Sequence, residues 1–367
     1  MPALTAAPPQ ANPTATPAAG GGTVPFFYGS NRYVEKFATD TWQLTTTTSE
    51  LVHNINPGGF LQGVRVQFRS TGGVGGTASV DQPWVVVQSA SLENIDGAPI
   101  MYPMGGFAYY CGDRFFRPWN GDAAARFDYA AGPNPSMSLF LKPEIRHTAG
   151  VLANTDARAQ YRVRVTMNTF ANVITSGSTA PTFTVTFYLE TWAQPDDKDL
   201  RDNPIEPLPP GLNLATLRRR QVLAINSASA DNQWQLSNTG NEIRGIIAIV
   251  RDSNGARQDY LSDPIRWRID NRSMGVFSPD EVFNRMADFY DGLGFNLVGR
   301  PQGVYVWPRF YQPGAMKGES WLATTNASYV LFESATLSSG TNLPGTVEWV
   351  TDEVVPVGPV PMEFESI

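Results

Sequence analysis

The stretch Leu92-Glu93-Asn94-Ile95-Asp96-Gly97-Ala98 can be aligned without a gap with Val250-Arg251-Asp252-Ser253-Asn254-Gly255-Ala256. Each runs from strand-like sequence into Asp-Gly or Asn-Gly, dipeptides that accept the positive φ angles of a tight type I′ hairpin turn. A segment of helical pattern follows each turn, at residues 105–116 and 280–291, and further strand-like segments come after it. The repeat therefore predicts one all-β unit used twice.

Length and composition agree with two β units. The chain has 367 residues, more than the ~250–300 at which one hydrophobic core usually stops growing. Its 33 glycines, 29 prolines, 11% aromatic and 17% charged residues are typical of many short strands joined by turns. We expect an all-β protein with two cores.

The charge and the terminal sequence limit the classes of partner. The formal net charge is −7 at pH 7, so the protein as a whole does not attract nucleic acid or an anionic membrane surface. Residues 1–22 lack the basic start and apolar core of a secretory signal, and no apolar run approaches the ~20 residues of a membrane-spanning helix. We predict a protein made and folded in solution, without specific nucleic-acid binding.

Composition divides the chain into five segments. The first 25 residues are rich in Pro, Ala, Gly and Thr and predict a flexible arm, because they bury too little apolar surface to offset the entropy of ordering. Dense charge and five prolines at 195–211 predict an exposed connection. The predicted segments are an arm 1–25, a first unit 26–195, a linker 196–211, a second unit 212–355 and a Pro-rich tail 356–367.

Alternation of apolar and polar residues predicts most of the strands. In the first unit they are 42–51, 64–69, 84–92, 136–141, 161–167 and 183–189, with a Gly-rich loop at 72–76. In the second unit they are 221–225, 243–250, 265–269, 303–307, 321–325, 329–333 and 346–350. A helix is predicted at 279–290, where Ser278 and Glu281 form a capping box and Gly292 and Gly294 end the helix.

A second alignment of the two halves competes with the hairpin alignment. Trp42-Gln43-Leu44 recurs as Trp234-Gln235-Leu236, and Leu61-Gln62-Gly63-Val64 resembles Ile243-Arg244-Gly245-Ile246. The two alignments exclude each other. Identical tripeptides arise by chance in a chain of this length, so we prefer the hairpin alignment, whose turn residues have a conformational reason.

The residue inventory argues against an enzyme. The two histidines, His53 and His147, lie in loop-like sequence, and no Cys or His pair has the spacing of a zinc site. Cys111 is the sole cysteine; because it lies beside aromatic residues, we predict a small buried residue and not a reactive thiolate. We predict no catalytic, cofactor-binding or metal site.

Two features have an enzyme-like and a structural interpretation. Gly73-Val74-Gly75-Gly76-Thr77-Ala78 matches the dinucleotide pattern G-x-G-x-x-A, but no helical pattern follows, and a loop between strands is preferred. Four carboxylates could pair in a glycosidase cleft, but we expect them to be solvated loop charges. They are Asp113, Asp122, Asp128 and Glu190.

Arginines and aromatic residues are the remaining candidates for binding. Arg218-Arg219-Arg220 follows the acidic linker, and an ion-pair anchor between the units is preferred over a phosphate contact. Four strand-face arginines fit either solvent or a wet subunit interface; they are Arg162, Arg164, Arg266 and Arg268. An aromatic segment could form a ligand platform but is more typical of a core. Its residues are Phe107, Tyr109, Tyr110, Phe115, Phe116 and Trp119.

The order of these motifs resembles the major capsid proteins of the tectivirus type. Phe60-Leu61-Gln62-Gly63-Val64-Arg65-Val66, a Gly-rich loop, the strand at 84–92, the Asp-Gly hairpin and Gly105-Gly106-Phe107 resemble the first jelly roll of that family. The turn at 250–255, the helix at 279–290 and Arg300-Pro301-Gln302-Gly303-Val304-Tyr305 resemble its second jelly roll. The resemblance extends over residues 41–355 and lies in the order of short motifs.

The resemblance implies a fold, a role and partners. The expected fold is all-β, with two tandem eight-stranded jelly rolls, each with a short helix. The expected role is that of a structural capsid subunit of a bacterial virus, with no catalytic site. The family forms pseudo-hexagonal homotrimers around an internal membrane, in contact with neighbouring capsomers and with penton or minor capsid proteins. The expected location is the virion, after synthesis in the host bacterial cytoplasm.

Two departures from the family and one alternative function bear on this expectation. The arm lacks the amphipathic helix that some members place near the membrane, and the loops are too short for a tower-forming insertion. The alternative is a viral spike or a lectin-like β-sandwich binding protein. It predicts an exposed aromatic platform with Asn or Asp nearby, whereas a capsid subunit predicts buried aromatic residues.

Overall fold

The computed structural model describes most of the chain. The described residues are 22–24, 26, 30–94, 96–117, 124, 126–145, 150–158, 160–176, 179–196, 198, 205–207, 214–225, 232–237, 240–292, 301–308, 321–334 and 342–356. Most of the predicted arm and linker and the tail beyond Pro356 lie outside these residues, as do Trp119, Asp122 and His147.

The first half of the chain is built mainly from strands. They are β1 (Gly22–Val24), β2 (Arg32–Gln43), β3 (Ser49–Asn54), β4 (Phe60–Thr71), β5 (Thr77–Ala78), β6 (Val87–Glu93), β7 (Pro99–Met104), β8 (Met137–Leu141), β9 (Leu152–Ala153), β10 (Arg162–Met167), β11 (Ile174–Thr175) and β12 (Thr182–Trp192). A 3-10 helix (Trp84–Val86) precedes β6, helix α1 (Gly106–Phe116) precedes β8, and the single-turn helix α2 (Phe170–Val173) follows β10.

The second half has the same character. Its strands are β13 (Ile205–Pro207), β14 (Leu214–Ile225), β15 (Asn232–Leu236), β16 (Glu242–Arg251), β17 (Ile265–Ile269), β18 (Arg272–Phe277), β19 (Val304–Pro308), β20 (Leu322–Ala323), β21 (Val330–Ser334) and β22 (Gly345–Pro356). Helix α3 (Pro279–Gly292) precedes β19.

Each half contains two sets of four hydrogen-bonded strands with one strand order, and a short parallel pairing of β7 with β14, at Met101 and Arg218, joins one set of each half into a continuous sheet. In the first half the orders are β2-β12-β4-β8 and β7-β6-β10-β3. In the second half they are β14-β22-β16-β19 and β18-β17-β21-β15. The orders coincide when the eight strands of each half, taken in chain order, are matched from β2 with β14 to β12 with β22. A helix precedes both members of the matched pair β8 and β19. The expected fold of two tandem eight-stranded jelly rolls, each with a short helix, is confirmed.

A β-bulge at the same place in both rolls gives the residue-by-residue correspondence. In the first roll Glu190 pairs with Gly63 and the next residue pairs with Leu61, which leaves Gln62 as the extra residue. In the second roll Asp352 pairs with Gly245 and the next residue pairs with Ile243, which leaves Arg244 as the extra residue. Leu61-Gln62-Gly63-Val64 is therefore equivalent to Ile243-Arg244-Gly245-Ile246.

The preferred hairpin alignment is wrong. Its first turn joins β6 to β7, whereas its second turn follows β16, the equivalent of β4. The second-roll counterpart of the Asp96-Gly97 turn is the β17–β18 turn, where Asp270 has a φ of 49°. The Trp42 part of the rival alignment also fails, because Trp42 lies in β2 whereas Trp234 lies in β15, the equivalent of β3.

The two misaligned turns nevertheless share one local geometry. Gly97 N–H donates to the Asn94 carbonyl at 3.0 Å, and Gly255 N–H donates to the Asp252 carbonyl at 3.0 Å. Positive φ occurs at the glycines, 79° and 78°, and not at the preceding Asp or Asn. Each is therefore a three-residue loop and not the predicted type I′ turn. The local sequence determines the turn, but not its place in the fold.

Most strand predictions are confirmed, with differences at the ends. The predicted strand at 42–51 is interrupted by a turn between β2 and β3, and the one at 84–92 begins as a 3-10 helix. The strand at 321–325 shortens to β20, whereas those at 221–225 and 346–350 extend to 12 residues each. The predicted helix cap is confirmed, since Glu281 N–H donates to Ser278 Oγ at 3.2 Å. Among the described residues, no helix has the length and apolarity to cross a membrane.

Strand β16 is buried on both faces. Ile246 and Ala248 pack with Trp349 in the second roll's own core, whereas Ile247 and Ile249 belong to a cluster shared with α1 and the first-roll core. Burial on both faces explains why β16 is a continuous apolar run and does not alternate. The two rolls therefore share one hydrophobic cluster.

The base of the predicted arm is attached to the predicted linker. Strand β1 pairs in parallel with β13, from Gly22 opposite Ile205 to Val24 opposite Pro207. Phe26, just beyond β1, is buried against Phe60 with ring centroids 5.1 Å apart. The start of the described chain is therefore fixed to the first roll and to the segment between the rolls.

Gly106→Ala is expected to lower the free energy of unfolding by about 1–3 kcal/mol. A Cβ at this position would lie 2.2 Å from the Trp84 carbonyl oxygen, so α1 or the 3-10 helix would have to move. Chemical denaturation measures the loss. Gly105→Ala is the matched control, because its Cβ would lie 3.6 Å from the nearest atom. Equal stability of the two variants would contradict this close packing.

Candidate functional site at the contact between the two jelly rolls

Helix α1 of the first roll lies against the outer face of a second-roll sheet. Its aromatic residues belong to the shared cluster that includes Ile247 and Val350. Tyr110 also stacks on Trp84 with ring centroids 4.4 Å apart. The prediction that the aromatic segment is core is confirmed for the members that the structure describes, which are Phe107, Tyr109, Tyr110, Phe115 and Phe116.

Two glycines allow α1 to approach this sheet closely. A Cβ on Gly245 of β16 would lie 2.4 Å from the Phe116 ring, and a Cβ on Gly112 of α1 would lie 2.9 Å from the Arg218 guanidinium. At the edge of the contact, the Tyr290 hydroxyl of α3 donates to the Phe115 carbonyl. The contact therefore has interior-like packing, with no room for a larger side chain at either glycine.

A cluster of charged side chains is buried beneath α1. Arg218 Nη1 lies 3.4 Å from Asp113 Oδ1, and Arg218 Nε lies 3.7 Å from Asp352 Oδ1. Arg244 Nη2 donates to Asp352 Oδ2 at 2.6 Å. The Arg218 and Asp352 side chains are 0% and 1% exposed. Because water does not reach these charges, the oppositely charged neighbours must stabilise them. Through Asp113 the cluster links the two rolls.

Burial and pairing act in opposite directions on these groups. Burial lowers the pKa of Arg218, but the attraction of Asp352 and Asp113 raises it by more, so the pKa lies above its ordinary value. Burial raises the pKa of Asp113 against the influence of Arg218 and Arg117. Burial, with repulsion from Arg218, lowers the pKa of Arg117 to about 10. Arg218 is therefore held charged mainly by Asp352, and Asp113 is its weaker partner.

A second set of ion pairs links the rolls at the amino-terminal end of α1. Asp81 of the first roll lies 2.5 Å from Arg251 Nη1 and 2.5 Å from Arg257 Nε of the second roll. The guanidinium carbons of these arginines lie 5.5 and 4.6 Å from the Phe107 ring centroid, within the range of cation–π attraction. Nearby, burial and then Asp81 raise the pKa of the Cys111 thiol, and the prediction of a buried cysteine is confirmed.

The carboxylates considered for a glycosidase cleft have different partners. Asp113 belongs to the buried cluster, Glu190 accepts a hydrogen bond from Arg32 at 3.0 Å, and Asp128 accepts one from Gln67 at 3.1 Å. The expectation of solvated loop charges is wrong for Asp113 and Glu190, which are buried in α1 and β12. Arginine partners within the fold make that burial tolerable.

Two further predictions about chemistry have different outcomes. His53 is not in a loop but in β3, with Nε2 2.6 Å from Asp40 Oδ2. The loop interpretation of the G-x-G-x-x-A match is confirmed, since Gly73 N–H donates to Asn134 Oδ1 at 2.8 Å in a loop before β5. Over the described ranges, no group of three or more His, Cys, Asp or Glu side chains could hold a metal ion.

The predicted ion-pair anchor between the units is confirmed for Arg218, which pairs with Asp113. Arg219 pairs with Glu353 at 3.5 Å and Arg220 with Glu348 at 2.6 Å, both within the second roll. The strand-face arginines have local roles. Arg162 and Arg164 bind Glu93 at 2.7 and 3.1 Å, Arg268 binds Glu333 at 2.6 Å, and Arg266 is exposed.

Glu93→Gln is expected to reduce the acid sensitivity of folding. Burial raises the pKa of Glu93, but hydrogen bonds from Arg162, Ser91 and Arg164 lower it more, so its pKa lies below 4.5. Ionised Glu93 therefore stabilises the protein above the unfolded-state value, and this stabilisation is lost as the pH falls through the folded-state pKa. Urea unfolding across the acid range measures the slope of stability against pH, which should be smaller in the variant. Identical slopes would contradict the role of Glu93.

The other charged residues of the contact carry little sequence signal. Asp352 and Arg244 could have been noticed because each interrupts an apolar strand, a position where a charge requires a buried partner. Asp81 and Arg257 lie in loop-like sequence and are separated by 176 positions. No local pattern indicates that they meet.

Comparison with known proteins identifies the fold. No family model matches the sequence, and no curated protein matches it. The capsid structure of PBCV-1 virus matches with a TM-score of 0.63 and 10% identity, over 89% of this chain and 94% of that one. The crystal structure of the STIV MCP matches with 0.60 and 11%, over 89% and 97%. The structure of Sulfolobus Turreted Icosahedral Virus matches with 0.59 and 11%, over 89% and 91%.

Proposed function

We propose that this chain is a structural subunit of a viral icosahedral shell, a double jelly-roll capsid protein without catalytic activity. The observation that carries the proposal is the use of one strand order in two rolls that share a buried contact. The similarity to the PBCV-1 capsid and to the STIV MCP supports it, because it extends over nearly the whole length of each chain.

We further propose that three copies form a pseudo-hexagonal capsomer. Since each subunit has two equivalent rolls, three copies present six similar units, and such units can tile a closed shell through heterologous contacts. The proposed partners are neighbouring capsomers, penton or minor capsid proteins and an internal viral membrane. The proposed setting is the virion of a bacterial virus, with synthesis in the host cytoplasm. The order of the sequence motifs supports these finer points.

The arrangement of aromatic residues favours this function over a spike or lectin-like binding protein. That alternative requires an exposed aromatic platform. Phe107, Tyr110 and Phe116 of the candidate platform are buried. Their burial agrees with a structural subunit.

The mass of the purified protein in solution tests the proposal. We expect a stable particle of three times the subunit mass of 40.1 kDa, because six similar rolls close one capsomer. Sedimentation equilibrium or light scattering measures this mass. A monodisperse monomer that binds a glycan would overturn the proposal.

A further inference from the structure

The first roll has a face equivalent to the one that α1 covers in the second roll. In the second roll, Ile247, Ile249 and Val350 lie on this face and pack in the cluster shared with α1. The common bulge makes Arg65, Gln67 and Tyr188 their equivalents in the first roll. Helix α1 therefore covers this face of the second roll, but it does not cover the equivalent face of the first roll.

This first-roll face, which we call the docking face, is basic. In the strand register, Lys36 of β2 and Arg65 of β4 lie directly opposite Tyr188 of β12, and Arg69 lies opposite Thr184. Successive side chains of a strand point to opposite faces of the sheet, and residues paired across two strands point to the same face. The three cations therefore lie on the face of the sheet that is turned away from the first-roll core. Arg65 Nε is buried and has no hydrogen-bond partner within the described part of the chain. Within that same part, none of the three cations forms an ion pair.

Phe127 projects from the docking face. Asp128 accepts a hydrogen bond from Gln67, and the Arg126 guanidinium carbon lies 4.3 Å from the Phe140 ring centroid. Gln67 and Phe140 both point to this face. Between these two anchors Phe127 is completely exposed, with a relative exposure of 111%. Burial of the Phe127 ring in a contact would remove its apolar surface from water.

An apolar cavity of about 430 Å³ opens beside α3 of the second roll. Trp307 lines it and is 7% exposed, and its indole N–H has no hydrogen-bond partner among the described residues. A cavity of about 150 Å³ is sufficient for benzene, so this one can hold a phenyl ring. The other apolar lining residues are Trp267, Phe277, Val282, Met286, Phe289, Val306 and Pro308.

The exposed side of α3 next to the cavity carries two acidic residues. Asp280, Asn284 and Asp288 are exposed and four residues apart, and Asp288 lies at the cavity. Arg285 also lines the cavity, and its charge is paired with Glu281 of the same helix. Neither Asp280 nor Asp288 pairs with a cation of the described ranges. In charge and in shape, this surface complements the docking face and Phe127.

We infer that two copies of the chain join head to tail through these surfaces. The docking face of one copy receives the acidic side of α3 from the next, and Phe127 enters the cavity. The inference rests on the proposed function and specifies its contact between copies. It repeats between chains the contact that α1 makes within one chain. Because the two surfaces lie on different rolls, the contact is heterologous and closes into a ring when each copy is rotated by a third of a turn.

Phe127→Ser tests the apolar part of the contact. Sedimentation at graded protein concentrations is expected to show a trimer weakened roughly 10- to 100-fold for each contact, because burial of one phenylalanine is lost. Val52→Ser is the matched control, since Val52 is exposed on the other sheet of the same roll, and it should leave association unchanged. Both side chains are exposed, so circular dichroism should show the same fold in each variant.

Charge reversal tests the polar part. Arg65→Glu with Arg69→Glu should dissociate the trimer, and adding Asp280→Lys with Asp288→Lys should restore association, because opposite charges face each other again. A trimeric parent whose Phe127 and charge variants all remain trimeric would overturn the inference and leave the proposed function standing. A monomeric parent would overturn both.

Discussion

Arg218→Met is expected to lower the free energy of unfolding by about 3–5 kcal/mol, because it leaves Asp113 buried without its paired cation and leaves Asp352 with Arg244 alone. Arg218 is wholly buried between Asp113 and Asp352, so water cannot replace its charge. Urea or guanidinium unfolding of the parent and the variant, at one protein concentration, measures the loss.

Arg220→Met is the matched control for this prediction. Arg220 lies in the same strand and pairs with Glu348 at 2.6 Å, but its side chain is 40% exposed. Solvent screens such a pair, and we expect a loss of about 1 kcal/mol or less. Asp113→Asn added to Arg218→Met should recover part of the lost stability. Equal losses for the two arginine variants would refute the buried cluster.

Phe116→Ala is expected to cost about 3–5 kcal/mol and to destabilise both rolls at once. The Phe116 ring is buried against Gly245 of the second roll, so its removal opens a cavity in the shared cluster. Tryptophan fluorescence monitors both cores, because Trp42 and Trp84 lie in the cluster of the first-roll core and Trp234, Trp307 and Trp349 lie in the second-roll core. One cooperative transition at lower denaturant concentration is the expected result.

Val276→Ala is the control for the cavity variant. Val276 is 57% exposed, and substitutions at such positions usually change stability by less than about 0.5 kcal/mol. If Phe116→Ala produced two separate transitions, with the second-roll tryptophans unaffected, the rolls would not share a core.

Periodicity predicted strands well where one face of a sheet is open. Strand β10 alternates between half-buried and fully buried residues, and its sequence alternates in the same way. Equivalence between the halves was harder to predict. The turns at Gly97 and Gly255 depend on hydrogen bonds within five residues, so similar sequence produced them on strands that do not correspond. The bulge at Gln62 and Arg244 depends on partner strands that the sequence does not identify.

The contact between the rolls was predictable only in part. The aromatic composition of α1 indicated a core, and the position of Arg218 after the linker indicated an anchor. The pairing of Asp352, Arg251 and Asp81 could not be predicted, because it depends on sheets formed by distant segments. Burial of β16 on both faces likewise depends on a neighbour that its own sequence does not specify.

The difference between the equivalent faces has a consequence for a fused pair of rolls. The covalent chain keeps the intramolecular joint at a high effective concentration, so Ile247 and Ile249 never have to meet solvent after folding. Arg65 and Gln67, at the same positions of the other roll, are polar and half-buried. After duplication of one roll, selection on the two copies of this surface would therefore diverge. The face that α1 covers on folding has apolar side chains, whereas the docking face, which we propose binds another copy, has polar ones.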